Sequence, residues 1–547
     1  MNFGAAKFRE LLFVATCGMG AEFMLALADT VVAGHVVGET ALAGINLLQP
    51  VFNIVQFVAA LVGTGAAIRF SFETGRLDSR RASEMFSQGM WSVLAFGTAL
   101  LVAFVFAREA FIGFFGASEE VAACARAYWV WYAPCALLLP VTLYLIALVY
   151  ADGGMRSCAM GYASLIGGNI VASYFLCRQM GIAGCALGTV LGNSAAILSL
   201  SGHFLRKSNS LRLVRHFSLR DLLLICKSSF ADASVTLCWA GLFLMLDKLV
   251  IVEFGSDKLP VLSVVLACVN LTLLFNGISA AAQPLVGVYA GERNSLGVKS
   301  VMNAAMKTSF AEGALAAAFF AAVPQAAVAL VGIKDPSLVP VAHSAVRIVS
   351  IGFIAAPFVF LFNSYYLFVE RYALACSLTF VADIVAYAIL CPPMAHFGGM
   401  TGLWIALGAA PVAAVAAFGL FVFMRHGARR FPLLLPPERA EKQFAFGFMV
   451  EAKGIEAAAR FASSTLAGAG RGDLADEAGR IVGAVFAAVA ASNGSRRVRG
   501  EAGIDLNEGA NLVLRDDGIV YDPTPAAAPA RGKHFVTMGY NRSIFGL

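Results

Sequence analysis

A carboxylate stands in the middle of the chain's first long apolar run. Asp29 lies in ALADTVVAGHVVGETALAGINLLQP (residues 26–50), which opens inside apolar sequence beginning at Leu11. Placing a carboxylate at the centre of a bilayer costs about 2.5 to 3.5 kcal/mol on insertion scales, so such a residue usually serves an ion, a proton or a paired cation. Thr30, Gly34 and Gly38 follow it. Small residues beside the charge let neighbouring helices approach closely. The alternative reading, a helix-end aspartate facing headgroups, stays open at this point.

The rest of the chain repeats the apolar pattern. Of its 547 residues, 59% are hydrophobic and the mean hydropathy is +0.76, above the roughly 45–50% apolar content of soluble domains. A hydrocarbon core about 30 Å thick needs about 20 apolar residues per helix. About twelve spans follow: 11–37, 42–68, 89–107, 122–150, 158–177, 182–204, 222–253, 260–290, 302–330, 340–369, 374–394 and 402–424. Lys7 and Arg9 precede an apolar run too long for a cleaved signal peptide, so the first span reads as a signal anchor. Eleven cysteines are scattered from Cys17 to Cys391 without a CxxC, and seven histidines show no metal spacing. Neither a disulfide framework, a zinc site nor a cofactor is expected.

Charge divides the chain. Residues 438–547 hold 13 basic and 13 acidic side chains, the density of a soluble domain, so the net charge of +6 belongs to the apolar part. Sorting the basic residues of residues 1–437 by alternate loops puts 20 on one side and 7 on the other. The positive-inside rule then places the richer side, both termini and the charged tail in the cytoplasm of a multi-pass plasma-membrane protein. This charge balance argues against nucleic acid as a partner. The expected organisation is an N-lobe of six helices (1–204), a basic linker (205–221), a C-lobe of six helices (222–430), a second linker (431–442) and a small α/β tail (443–547).

An internal repeat supports two lobes. FETGRLDSRRASEMF parallels VYAGERNSLGVKSVM, with Gly75 matching Gly291. MGIAGCALGTVLG parallels GMTGLWIALGAAP, with Gly184 matching Gly402. LADTVVAGHVVG parallels MLDKLVIVEFG, with Asp29 matching Asp247. The offsets are 216, 218 and 218 residues. Six spans separate the copies, so the lobes share one orientation about an axis along the membrane normal.

Taken together, DTVVAGHVVGETALAG, LVYADGGMRSCAMG, GIAGCALGTVLGN and AAQPLVGVYAGERN resemble the multidrug and toxic compound extrusion (MATE) transporters, over about residues 10–425. The resemblance implies a V-shaped pair of six-helix lobes. It also implies export of small organic, often cationic, compounds against inward flow of H+ or Na+, by a monomer in the lipid bilayer. The family's N-lobe cation site uses an aspartate on the first helix, an asparagine and an aspartate four apart on the fifth, and a threonine on the sixth. Asp29, Asn169 and Thr189 match three of these positions, and Ser173 stands where the second aspartate belongs. With one carboxylate in place of two, a proton on Asp29 competes with a hard cation held by oxygens. Asp232 and Asp383 are candidate C-lobe coupling carboxylates. Asp247, next to Lys248, reads as a membrane-edge pair.

Other polar and aromatic residues have structural readings. Asn53, Gln56 and Gln283 suit interhelical hydrogen bonds. Trp129, Trp131 and Tyr132 suit an interfacial belt, or a cavity for flat cations. Pro134, Pro140 and Pro284 are expected to bend their helices.

In the tail, 444–451, 511–516 and 534–540 read as strands, and 454–466 and 473–491 as helices. RDDGIVYDP (residues 515–523) resembles the adenine-binding box of histidine-kinase-like ATPases of the anti-sigma-factor kinase type. That resemblance implies weak nucleotide binding, with Asp516 accepting the adenine amino group and Gly518 allowing the turn. The helix AGRIVGAVFAAVAAS offers no side chain to hold magnesium, so a degenerate, inactive domain is expected. The leading function is therefore secondary active efflux with no catalytic residues. The alternatives are a membrane-anchored nucleotide-binding sensor or kinase, and a lipid-linked saccharide flippase of the same superfamily.

Overall fold

The computed structural model describes residues 3–36, 45, 48–114, 119–206, 209–255, 258–331, 338–507, 509–537 and 540–547. Within the first helix, side chains are described only as far as Gly20. Among the described residues the regular elements of the membrane part are all helical, which is what a bilayer demands: backbone N–H and C=O groups there have no water to bond.

The first half runs α1 (Phe3–Val36), α2 (Gln49–Gly75), α3 (Ser79–Phe114), α4 (Glu119–Tyr132), α5 (Cys135–Ala151), α6 (Met155–Met180) and α7 (Ile182–Ser201). The second runs α8 (Leu219–Phe254), α9 (Leu259–Leu271), α10 (Asn276–Gly291), α11 (Ser295–Ala322), α12 (Pro324–Val331), α13 (Val339–Val349), α14 (Ala356–Phe368), α15 (Tyr372–Phe380) and α16 (Ala386–His426). Among the described residues, seven helical stretches are long and apolar enough to cross a membrane. An eighth appears if α4 and α5, bent by 52° at Ala133–Pro134, make one span. Several of the other expected spans are interrupted helices. A 3-10 turn at Thr272–Phe275 joins α9 to α10, and α16 reverses at Gly399 (φ 61°). Large apolar side chains cover the outer surface, among them Phe13, Phe106, Leu198, Leu315 and Phe397.

The sequence repeat is written into the backbone. Residues in the left-handed region pair up at the repeat offset: Leu77 (φ 65°) with Arg293 (φ 57°), Gly153 (φ 82°) with Glu370 (φ 60°), and Gly181 (φ 62°) with Gly399 (φ 61°). Gly75 and Gly291 are repeat mates and also touch each other. A Cβ on Gly75 would lie 2.1 Å from the Val288 carbonyl oxygen, and one on Gly291 would lie 2.1 Å from that of Phe72. A residue in contact with its own repeat mate lies on the pseudo-twofold axis, so the axis passes between these glycines.

The end of the bundle that carries Gly75 and Gly291 also gathers most of its charge. Arg69 on α2 crosses to Glu370 (2.6 Å), Ser228 (2.8 Å) and Tyr372 of the second half. The inter-lobe linker is pinned there as extended chain: Asp221 binds Arg81 (2.5 Å) and His216 (2.7 Å), and buried Asp152 binds His203 (2.7 Å) and Ser210.

The tail is a five-stranded antiparallel sheet with two helices on one face. Its elements are β1 (Gln443–Met449), α17 (Ala452–Gly468), α18 (Gly472–Asn493), β2 (Arg499–Asp505), β3 (Asn511–Asp516), β4 (Gly532–Thr537) and β5 (Tyr540–Gly546), in sheet order β1-β2-β3-β5-β4. Alternation decides the faces. Leu512 and Leu514 pack on the helices with Phe448, Val482 and Phe486. Arg515, on the opposite face, meets the bundle: it binds Glu292 (2.5 Å) and stacks over Tyr289. Arg542 reaches Glu292 (2.7 Å) and the Gly75 carbonyl (3.2 Å). Gln443 accepts from the Ser295 backbone N–H, Arg499 binds Glu10, and Tyr540 packs edge-on against Phe3. Both termini and the tail therefore lie at one end of the bundle.

Candidate functional site

Three N-lobe residues singled out in the sequence come together. α6 and α7 are antiparallel neighbours joined at Gly181, and glycines on α7 make the approach close. A Cβ on Gly188 would fall 2.1 Å from the Ser173 hydroxyl, and one on Gly192 would lie 2.6 Å from the Leu165 carbonyl oxygen. Across this seam the Asn169 amide donates to the Thr189 hydroxyl (3.0 Å), and Thr189 donates to the Cys185 carbonyl (3.3 Å). Ser173 donates to the same carbonyl at 3.3 Å. Asn193, one turn beyond Thr189, donates to the Thr189 carbonyl at 2.9 Å. All four side chains are buried, so the cluster is a knot of amide and hydroxyl oxygens inside the lobe. Asn193 is a member the sequence reading missed. Its spacing of four from Thr189 in TVLGN is the signal that was present.

α1 packs against α6. Asp29 lies on α1, two turns before its end, and its side chain is outside the described residues, as is that of Asp247 on α8.

The C-lobe candidates occupy separate places. Asp232 on α8 lies beside Thr64 of α2, across the seam where those two helices pack. Asp383 is 8% exposed and sits in a turn of π-helix, Val381–Val385, between α15 and α16. Such turns are rare and cluster at functional sites. Asp383 faces a small cavity of about 40 Å³ whose wall includes Trp239, Phe353, Phe360 and Tyr387. Trp239 is seven residues beyond Asp232 on α8, about 10 Å along the axis at 1.5 Å per residue. Asp232 and Asp383 thus flank one stretch of α8.

The remaining readings divide. Gln283 donates to Ser364 across helices at 3.0 Å. Trp129 and Tyr132 are core rather than belt: the Trp129 indole donates to the Phe104 carbonyl (2.9 Å) and Tyr132 packs on Phe52 and Tyr128. Trp131, between them, stays exposed. Among the described residues no group of three or more His, Cys, Asp or Glu side chains is arranged to hold a metal.

In the tail, Asp516 is buried and already engaged. It accepts from the Gly518 backbone N–H (3.0 Å) and the Asn541 amide (2.8 Å), and Asn493 at the end of α18 accepts from the Ile519 N–H (2.9 Å). Burial pushes the Asp516 carboxyl up to about 6, against the lowering pull of those hydrogen bonds.

Comparison with known proteins bears on the family and the fold. The MatE family model matches residues 15–175 and 233–392, one match in each half. A structure of a MATE protein in complex with MaL6 is 19% identical, with a TM-score of 0.72, covering 78% of this chain and 96% of that one. An outward-facing multidrug resistance MATE transporter of the MOP superfamily gives the same values. A MOP superfamily transporter from Pyrococcus furiosus, described as having a binding pocket of reverse polarity, is 18% identical with the same TM-score and coverage. No curated protein matches. These structural likenesses establish the fold, and the two family matches, which together span more than half of the chain, establish that it belongs to the MATE family of integral membrane transporters.

Proposed function

We propose that the protein is a secondary active exporter that moves small organic, often cationic, compounds out of the cell in exchange for H+ or Na+. The observation that carries this reading is the buried Asn169–Thr189–Ser173 knot on the helix pair against which α1 packs, with Asp29 on α1 as the coupling carboxylate. Oxygen ligands suit a hard cation. Ser173 brings a hydroxyl where a second carboxylate would bring a charge, and this favours a proton carried by Asp29. Asp232 and Asp383 give the C-lobe two further protonatable positions. Moving one charge through about 100 mV yields about 2.3 kcal/mol, an energy source that needs no nucleotide.

The side bearing Gly75, Gly291 and both termini is cytoplasmic in this reading, because the basic loops gather there. The Arg69–Glu370 pair and the Gly75–Gly291 contact close that side, and alternating access requires them to part. The tail hydrolyses no ATP: α18 presents alanine, valine and glycine where magnesium ligands are required, and Asp516 is spent on its own turn. The chain acts as a monomer.

Dye efflux from proteoliposomes, driven in turn by a proton and by a sodium gradient, tests the proposal. Efflux with either gradient and its loss in Asp29→Asn at equal insertion are expected. Efflux that ignores both gradients, or an unaffected Asp29→Asn, overturns it.

A further inference from the structure

The two halves of the bundle hold the tail unequally. The chain enters the tail from α16, and the Tyr365 and Tyr366 hydroxyls of α14 donate to the Leu433 (2.5 Å) and Pro432 (3.0 Å) carbonyls. The approach is thus pinned to the second half. The seat there is buried: Glu292 lies between Arg515 (2.5 Å) and Arg542 (2.7 Å), all three side chains 5% exposed or less. Gln443 adds a donation to the Arg293 carbonyl (2.9 Å) and accepts from the Ser295 N–H (2.8 Å). The seam with the first half is thinner. Tyr540 meets Phe3 edge-on at 5.3 Å, and Arg542 donates to the Gly75 carbonyl at 3.2 Å. Arg499 pairs with Glu10 at 3.0 Å, with side chains 28% and 39% exposed.

The charges suit release along that thinner seam. When Arg499 and Glu10 separate, Arg499 keeps Asp517 (2.5 Å) and Glu10 keeps Lys7 (3.2 Å). Arg515 keeps Glu292 and Glu501 (2.6 Å), and Arg542 keeps Glu292 while losing the Gly75 carbonyl. No charge is stranded. Parting from the second half would instead strip Glu292 of both arginines, and a buried pair costs far more to break than an exposed one.

The sheet therefore straddles the Gly75–Gly291 contact. Arg499, at the start of β2, reaches α1, while Gln443, at the start of β1, reaches α11, and Arg542 bridges Gly75 to Glu292 between them. We propose that the tail is a strap that rides on the second half, reaches across the pseudo-twofold axis to the first, and holds this end of the bundle shut until the seam at Phe3, Glu10 and Gly75 lets go. This rests on the exporter reading, in which the Gly75–Gly291 contact parts in each cycle. A sheet fastened to both halves cannot follow both as they separate, so every opening breaks the thinner seam. The tail is then a brake on export.

Hydrogen exchange of the full-length protein in nanodiscs, followed at 72–78 and 288–294, reads the strap without a transport assay. Glu10→Gln and Arg499→Gln, made separately on opposite sides of the seam, should each speed exchange there by about two- to fivefold, the range for an exposed ion pair. Protection of 443–449 should stay at the wild-type level, because the tail remains on the second half. A reducible bis-thiosulfonate tie between Glu10→Cys and Arg499→Cys should slow the same exchange and abolish most gradient-driven efflux, both restored by reductant; wild type treated alike is the control. Acceleration in one Gln variant and not the other marks a local defect and overturns the strap. So does a tie that leaves exchange at 72–78 and 288–294 unchanged, or efflux intact, or variants that deprotect 443–449 with those segments unmoved. A wild type that moves no substrate would count against the exporter reading alone, because the exchange still reports the strap.

Discussion

Arg69 and Glu370 pair at 2.6 Å, although one belongs to the second helix and the other to the turn before α15. The arginine is buried and the glutamate half exposed, so the pair is a cation on loan from one lobe to the rim of the other. Removing one partner of a fully buried pair costs about 3 to 5 kcal/mol. The open side of Glu370 reduces this to about 1 to 2 kcal/mol. Glu370→Gln should therefore lower the thermal midpoint of the purified protein, and adding Arg69→Gln should recover part of the loss. Strictly additive losses in this double-mutant cycle would show that the two residues do not act as a pair.

The glycines on the axis make a sharper prediction. Gly75→Ala or Gly291→Ala puts a methyl group about 2.1 Å from a backbone carbonyl oxygen that no side-chain rotation can move. Each should cost about 1 to 3 kcal/mol, the range for overpacking, and spread the lobes at this end. Gly167→Ala on α6, with nothing within 4 Å of the added methyl, should be neutral or slightly stabilising. Thermal melts of the three variants decide it, and equal midpoints would refute the contact.

Much of this fold was legible because the bilayer and the duplication both leave marks that need no tertiary information. Apolar length marked the spanning segments, and the repeat offsets of 216 to 218 residues reappear in the backbone as left-handed residues paired between the halves. The bounds of β3, residues 511–516, were also readable from alternation. Two strands were not. β2 is RGEAGID, whose glycines and alanine carry little strand propensity. β5 buries Asn541, Arg542 and Ser543, polar residues that point into the tail or onto the bundle rather than into water. The Glu292 pairs were invisible for a similar reason: Arg515 lies 223 residues further along the chain, and only docking brings it near.

In the N-lobe, the hydroxyl of Thr189 links Asn169 to the Cys185 carbonyl. Thr189→Val keeps the shape and removes the link, at about 0.5 to 1.5 kcal/mol for one lost hydrogen bond. Gradient-driven efflux should fall at least several-fold with insertion unchanged, while Thr189→Ser should retain most of it. Equal rates in all three proteins would remove Thr189 from the site.

Asp516 offers a test by pH. Its folded value, about 6, lies above the ordinary 3.8. Its contribution to stability is therefore full below about pH 4 and is lost as pH rises through 6. Two units correspond to about 3 kcal/mol at most. Asp516→Asn keeps an oxygen to accept from Gly518 and Asn541 but never ionises. Intrinsic-rate-corrected hydrogen exchange of β3 should be slower in the variant at pH 8 and alike in both at pH 4.5. Slower exchange of the wild type at pH 8 would contradict this.

The repeat mate of Glu292, 216 residues earlier, is Arg76. A platform with true twofold symmetry would offer a single docked domain two equally good seats, half a turn apart. Reversing the charge at one of two equivalent positions removes that degeneracy: Glu292 attracts Arg515 and Arg542, while Arg76 would repel them. One pair of diverged codons in a duplicated gene is thus enough to give a near-symmetric transporter a front and a back.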